Sequence, residues 1–260
     1  MKNKLITVIQ AGAVLATLAL TACGGGGGGG SASTSVSTPI PAPTAEGLWI
    51  GSTSSSRWVT GIVLDDGTYW VLYSAPNNSA LIAGAVQGTG TALNGSFSSS
   101  DGKDFNLEGL GINNATVSAS YVAKQSFNGV VTYSGLNQSI TFTSTYDAAY
   151  DQIPSLSTIA GTYTGSAAVL GGTESAVVLI TSAGAISGNG ASGCQFTGTA
   201  TPHAKGNIYD LSVTFGGGVC SNGRSTVNGI GYFDSTPKRL YGVALNSSRS
   251  NGFIFVGTKL

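Results

Sequence analysis

Residues that could do chemistry are few in this chain, and their spacing offers little for catalysis. His203 is the only histidine among 260 residues, and it follows Pro202 in a predicted turn. A Ser-His-Asp arrangement would have to be built on that residue, because it is the only imidazole base present. Little in its sequence neighbourhood would orient or activate it, and the chain contains no Gly-x-Ser-x-Gly nucleophile elbow. The pattern favours a surface histidine in a turn.

Paired carboxylates are the other candidates, because two acids can hydrolyse a glycosidic bond. The pairs that lie close in sequence are Asp65 with Asp66, Asp101 with Asp104, and Asp147 with Asp151. The first pair lies in a predicted hairpin turn, the second brackets another turn, and the third lies in a connector. Solvated turn acids explain all three pairs. A hydrolase using paired acids is therefore our third hypothesis, and we predict that the protein is not an enzyme.

Signals for a metal or a cofactor are equally weak. No Asp-x-Asp-x-Asp run indicates a calcium loop, and too few Cys and His residues are present for a zinc site. The segment 188–193 matches Gly-x-Gly-x-x-Gly, but predicted strands flank it on both sides, whereas a dinucleotide site needs a following helix. We predict neither a cofactor nor a metal.

The amino end carries the strongest motif. Lys2 and Lys4 precede an apolar run over residues 5–20, and Leu20-Thr21-Ala22-Cys23 follows. A transmembrane helix and an ordinary secretory signal are the alternatives, but a run of 16 residues is short for a span. The segment resembles a bacterial lipoprotein signal, whose lipobox ends in the cysteine that is acylated after cleavage. The resemblance implies removal of residues 1–22 and a palmitate-type lipid on Cys23, and Gly24, where an Asp would retain the protein at the inner membrane, implies the outer membrane.

Residues 23–45 form the predicted lipid anchor and linker. Seven glycines at 24–30, a Ser/Thr-rich stretch at 31–38 and a Pro-rich stretch at 39–43 predict a flexible tether without packed structure. Two repeating units follow in our interpretation, at 46–146 and 159–260, joined by a connector at 147–158.

Both units predict an all-β fold. Short alternating runs separated by turn residues give about eight strands in each unit, and no segment shows a sustained helical period. Both open with Gly-x-aromatic-x-Gly, at 47–51 and 161–165, which favours a distant internal duplication. Two tandem small antiparallel barrels of about eight strands fit best, because closure removes exposed edges. A pair of sandwiches and a single larger barrel are the alternatives.

Cys194 and Cys220 predict a structural disulfide. An even pair outside the cytoplasm favours a bridge. The two cysteines flank the open ends of a predicted hairpin whose strands span 195–201 and 207–215.

Some predicted strands are apolar on both faces. Tyr69, Val71 and Tyr73 alternate with Trp70 and Leu72, and the segment 253–256 behaves similarly. One face can fill a barrel, and the other must be covered, either by packing of the two units on each other or by a partner.

The tryptophans all fall in the first unit. Trp49, Trp58 and Trp70 could form a ligand or partner surface, or they could fill a small barrel core.

The Gly47-Leu48-Trp49 opening, the hairpin at 61–69 and the ending at 252–257 together resemble a group of uncharacterised Gram-negative outer-membrane lipoproteins. A weaker, purely architectural likeness is to the barrel lobes of transferrin-binding protein B. These resemblances imply location and shape but no chemistry.

Function follows from this combination of tether and barrels. We predict a lipid-anchored envelope protein acting as a non-catalytic binding module, with a structural or envelope-assembly lipoprotein as the alternative. The expected partners are the membrane, through the lipid, and an envelope or host protein. Charged residues are 8% of the chain, with 11 basic and 11 acidic side chains, which excludes nucleic-acid binding through a basic face.

Overall fold

The computed structural model describes residues 44–260. The predicted signal at 1–22, the lipidation site Cys23 and the linker up to residue 43 lie outside the described residues.

The first barrel is antiparallel and occupies residues 47–146. Its strands are β1 (Gly47–Thr53), β2 (Trp58–Val63), β3 (Thr68–Ala75), β4 (Asn78–Thr89), β5 (Thr91–Leu93), β6 (Ser96–Asn106), β7 (Gly111–Val122), β8 (Ser126–Tyr133) and β9 (Gln138–Tyr146). Strand β1 pairs with β2 and with β9, and the β4–β6 pairing closes the ring. The three-residue β5 continues the line of β4 and pairs with the start of β6. Eight strands therefore close this barrel.

One predicted turn is wrong. The sequence suggested strands at 91–98 and 104–110 with a turn at Asp101-Gly102, but β6 runs through that dipeptide as a bulge. The chain reverses instead at Asn94 and Gly95, whose φ angles are 50° and 80°. Positive φ at both central residues matches the right-handed twist of a two-residue hairpin.

The second barrel is a continuous closed ring. Its strands are β10 (Gly161–Val169), β11 (Gly172–Ile180), β12 (Ala185–Gly190), β13 (Gln195–Pro202), β14 (Tyr209–Phe215), β15 (Thr226–Asp234), β16 (Arg239–Leu245) and β17 (Gly252–Lys259). Each strand pairs antiparallel with its sequence neighbour, and β10 pairs with β17. The prediction of an all-β protein with two eight-stranded antiparallel barrels is confirmed.

The segment between the barrels packs against the interior of the second barrel and against the core that the two barrels share. It contains a 3₁₀ helix at Ala148–Asp151 and one helical turn, α1, at Leu156–Ile159. The Asp147 carboxylate accepts the Ala149 N–H at 2.9 Å and so caps the first of these. Tyr150 and Ile159 are buried. None of the helices within residues 44–260 has the length and apolar content needed to cross a bilayer.

The repeated Gly-x-aromatic-x-Gly signature has the same role in both barrels. The Trp49 indole donates to the Ala45 carbonyl at 3.0 Å, and the Tyr163 hydroxyl donates to the Ile159 carbonyl at 2.6 Å, four residues back in each case. A side chain at the second glycine of each motif, Gly51 or Gly165, would collide with the backbone of the neighbouring strand. In each motif the aromatic side chain therefore fixes the segment that precedes the first strand of the barrel.

The outer faces of the two barrels share one hydrophobic core. Trp70 and Leu72 from the first barrel cluster with Ile230, Tyr232 and Ile254 from the second. All five side chains are buried. The alternative that the two units pack on each other at these two-faced strands is confirmed, and it explains why β3 and β17 are apolar on both faces.

Candidate functional site

Each barrel contains a cavity in its interior. The cavity in the second barrel has a volume of about 250 Å³ and that in the first about 220 Å³. These volumes correspond to about seven or eight water molecules at liquid density. The barrels are therefore not filled throughout by their own side chains.

The cavity of the second barrel is apolar along its walls. Its apolar lining comes from alternate residues of successive strands and includes Ala167, Ala176, Val178, Ile180, Ile186, Phe196, Leu211, Val213, Phe215, Leu240, Phe253 and Phe255. The lining residues at its mouth come from the 170–171 hairpin, the 191–194 turn and the 216–225 loop. Val219 in that loop is exposed. The opposite end is closed by Ile159 and by Tyr163, whose ring lies edge-on to Phe233.

The Cys194–Cys220 disulfide lies beside this mouth, and its prediction is confirmed. The S–S distance is 2.04 Å and the Cα atoms are 4.7 Å apart. The bridge joins the residue before β13 to the 216–225 loop, and Cys194 itself lines the cavity. It therefore ties the longest loop of this end to the barrel wall.

The cavity of the first barrel ends in a group of aromatic rings. The Trp49 ring lies 5.5 Å from both Phe127 and Tyr146, and Phe97 lies 5.2 Å from Phe127 in an edge-on arrangement. Separations of this size are typical of favourable aromatic pairs. The lining residues at the mouth include Ser55, Leu110 and Leu136, which belong to the hairpin loops of the opposite end.

A polar cluster interrupts the wall of this first cavity. The Tyr73 hydroxyl donates to Asp104 Oδ1 at 2.8 Å and accepts from Asn106 Nδ2 at 3.2 Å. Tyr133 also donates to the Asp104 carboxylate. Asp104 is only 6% exposed, and it lines the cavity together with Tyr73, Asn106 and Tyr133.

Burial sets the protonation behaviour of this cluster. Loss of hydration raises the pKa of Asp104 to about 6, against the lowering effect of its tyrosine donors and of Arg57. The pKa values of Tyr73 and Tyr133 are also raised, by burial first and then by the adjacent Asp104 charge. Both hydroxyls are therefore donors at neutral pH.

Arg57 stands beside this cluster at the mouth. Its guanidinium donates to the Ser74 carbonyl at 2.9 Å and forms an ion pair with Glu108 at 2.7 Å. The same guanidinium lies 5.4 Å from the centre of the Tyr73 ring. Arg57 is thus held by three contacts, none of which involves Asp104.

The three candidate tryptophans do not share a surface. Trp49 is buried at the aromatic end of the first cavity, and Trp70 is buried in the core between the barrels. Trp58 is 56% exposed on the outside of β2. Trp49 is therefore the one tryptophan of the three that lines a cavity inside a barrel.

The turn interpretation is wrong for Asp104. We expected Asp101 and Asp104 to bracket a turn as solvated acids, but both lie on β6 and Asp104 points into the barrel. The bulge in β6 causes this error, because the extra residue reverses which side chains face inward. Sequence reasoning therefore missed the one carboxylate that lines the first cavity.

His203 lies in the turn after β13, as expected, and its side chain is half-buried there. Its Nδ1 lies 2.8 Å from Asp210, and its Nε2 lies 3.6 Å from Asp65 of the first barrel. Lys205 also pairs with Asp65 at 3.3 Å. Burial alone would raise the pKa of Asp65, but Lys205 and His203 bring it below its ordinary value. These groups link the barrels.

Metal-binding geometry is not found in residues 44–260, where no group of three or more His, Cys, Asp or Glu side chains converges. Comparison of the chain with protein-family models and with curated proteins gives no match.

Proposed function

We propose that this protein is a lipid-anchored envelope protein that acts as a non-catalytic binding module, and that its second barrel takes up a small apolar molecule. The observation that carries the proposal is the apolar cavity of about 250 Å³ inside that barrel. Pockets that bind small molecules are concave, mostly apolar and fixed by a few polar groups. The mouth of this cavity supplies such groups in Glu174 and Asn222.

These polar groups also hold the mouth in position. Glu174 accepts the Ser192 N–H at 2.7 Å, and the Asn222 amide donates to the Gly252 carbonyl at 3.2 Å. Neither contact pairs a nucleophile with a base, which is the geometry that covalent catalysis requires. The arrangement supports uptake of a ligand rather than its conversion.

The disulfide supports the same function by shaping the mouth in advance. A loop that is already ordered loses little conformational freedom when a ligand enters. Because Cys220 is bonded to Cys194, the 216–225 loop keeps its position at the rim.

Binding is tested with naphthalene as the probe, followed by methyl NMR. We expect naphthalene to shift the methyl signals of Val213 and Leu240, which line the cavity. The variant Val178→Phe should abolish these shifts, because Val178 points inward. Val177→Phe is the matched control, because Val177 is the adjacent residue of β11 and is exposed on the outer face. Unchanged binding in Val178→Phe, or no shifts in the wild type, would overturn the proposal.

Anchoring is tested separately on the full chain expressed in a Gram-negative host with an alkyne-labelled palmitate. We expect the wild type to carry the label and Cys23→Ser to lose it. The Cys194→Ser/Cys220→Ser double variant should keep the label, because those cysteines are bonded to each other. A wild-type chain without the label would contradict lipid anchoring.

A further inference from the structure

We propose that the first barrel is a second and separate binding site, selective for a small molecule that has a protonated amine on an apolar body. This inference goes beyond the apolar site of the second barrel and does not depend on it. It is carried by one buried carboxylate that faces an otherwise largely apolar cavity.

The Asp104 carboxylate has room for a further donor. A carboxylate offers about four lone-pair positions. The hydroxyls of Tyr73 and Tyr133 occupy two of these, and Asn106 donates to Tyr73 rather than to the carboxylate. Asp104 can therefore accept a hydrogen bond from a group inside the cavity.

Arg57 acts on the Asp104 carboxylate through space but forms its ion pair with another acid. Arg57 is paired with Glu108 at 2.7 Å, and none of the ion pairs among residues 44–260 includes Asp104. Counting Arg57 as positive and both Glu108 and Asp104 as negative, the cluster has one excess negative charge. Because a buried charge is costly unless it is paired, a cation that reaches Asp104 is favoured.

The rest of the wall suits the apolar part of such a ligand. Aromatic and aliphatic side chains continue from the polar cluster to the closed end, among them Tyr69, Val86, Val117, Phe127 and Phe142. Aromatic faces also attract ammonium groups, which adds to the preference for a cation. A volume of about 220 Å³ limits the ligand to a small molecule.

An anionic ligand fits this site less well. Arg57 is the cation in the lining, but its guanidinium already donates to Ser74 and Glu108. An incoming carboxylate would have to displace Glu108 and would also face the Asp104 charge. The geometry therefore distinguishes amines from acids of the same size.

The proposal is tested by calorimetry at pH 8 with three probes of similar size: phenethylamine, 2-phenylethanol and 3-phenylpropionate. We expect phenethylamine to bind at least tenfold more tightly than either of the other two. Methyl signals of Val86, Val117 and Val131 should shift on binding, which places the amine in the first barrel. Equal affinities, or a preference for 3-phenylpropionate, would overturn the proposal.

A pair of variants assigns the preference to one carboxylate. Asp104→Asn should reduce the affinity for phenethylamine at least tenfold and leave that for 2-phenylethanol unchanged. Asp66→Asn is the control, because Asp66 is an exposed acid of the 64–67 turn. An amine preference that survives in Asp104→Asn would overturn the assignment. The probe series on the wild type decides the proposal even if Asp104→Asn does not fold, and naphthalene binding to the second barrel reports separately on the proposed function.

Discussion

At the scale of single residues, Asp104 is kept as a buried carboxylate at an energetic cost. Its pKa of about 6 compares with an ordinary value of 3.8, so the folded protein binds a proton more strongly than the unfolded chain does. The stabilisation from protonation is complete below about pH 3.8 and is lost as the pH rises through 6. Two units of pKa correspond to about 3 kcal/mol. Tyr73 and Tyr133 limit this cost by donating to the ionised form.

The raised pKa of Asp104 makes the free energy of unfolding depend on pH, and the substitution Asp104→Asn should remove this dependence. Between pH 4 and pH 7, we expect the free energy of unfolding of Asp104→Asn to rise by about 2 kcal/mol relative to the wild type, because Asn does not ionise. Arg57 and Glu108, the other charged groups acting on Asp104, are present in both proteins. The measurement is urea denaturation at a series of pH values.

Asp66→Asn serves as the control for that series and should follow the wild-type profile. Parallel profiles for Asp104→Asn and the wild type would contradict a buried, ionising Asp104.

The reason that Asp104 escaped sequence analysis is local. Phe97 and Ser99 are the buried residues at the start of β6, so simple alternation assigns inward positions to odd numbers. The bulge before Gly102 adds one residue, and Asp104 and Asn106 are buried instead. A bulge is decided by pairing with neighbouring strands, which a single sequence does not specify.

At the scale of elements, prediction succeeded where turn residues mark both ends of a strand. The sequence predicts strands at 126–133 and 239–245, and β8 and β16 have these bounds. The hairpin of β13 and β14 was also expected, and with it the disulfide. The β5–β6 hairpin was not, because Asp101-Gly102 has the composition of a turn inside a strand.

Removal of the Cys194–Cys220 disulfide should lower the free energy of unfolding. The bridge joins residues 26 positions apart, and the chain-entropy model gives about 3–4 kcal/mol for a closed loop of that size. We expect the Cys194→Ser/Cys220→Ser variant to lose this amount of unfolding free energy in urea denaturation monitored by circular dichroism.

The 216–225 loop should also become more mobile in that variant, with faster amide hydrogen exchange confined to the mouth of the second barrel. A double variant as stable as the wild type, with unchanged exchange in this loop, would show that the bridge does not order the mouth.

At the scale of the whole molecule, the two barrels are joined by more than the connector. The shared core lies between their outer faces, and ion pairs add to it at its edges. Arg249 of the second barrel pairs with Asp101 of the first at 3.3 Å, and Lys205 pairs with Asp65. The sequence indicated a covered outer face but could not decide whether the cover was the twin barrel or a partner.

Two tryptophans provide a matched test of the core that the two barrels share. Trp70→Ala should lower the free energy of unfolding by about 3–5 kcal/mol, because it leaves a cavity between the barrels. Trp58→Ala, at a 56% exposed position on β2, should change it by no more than about 0.5 kcal/mol. Urea denaturation gives both values.

Hydrogen exchange completes that test. Trp70→Ala should lose amide protection around Ile230 and Ile254, in the barrel that was not mutated. Protection in the second barrel that is indistinguishable from the wild type would show that the barrels are stabilised independently.

The core between the barrels also bears on how the chain is made. The first barrel is synthesised before the second, so Trp70, Leu72 and their neighbours emerge while the residues that will cover them do not yet exist. Until the carboxyl-terminal half is complete, this face is open to self-association or to a chaperone. Folding of β15 and β17 therefore covers the apolar face of the first barrel and removes its tendency to aggregate.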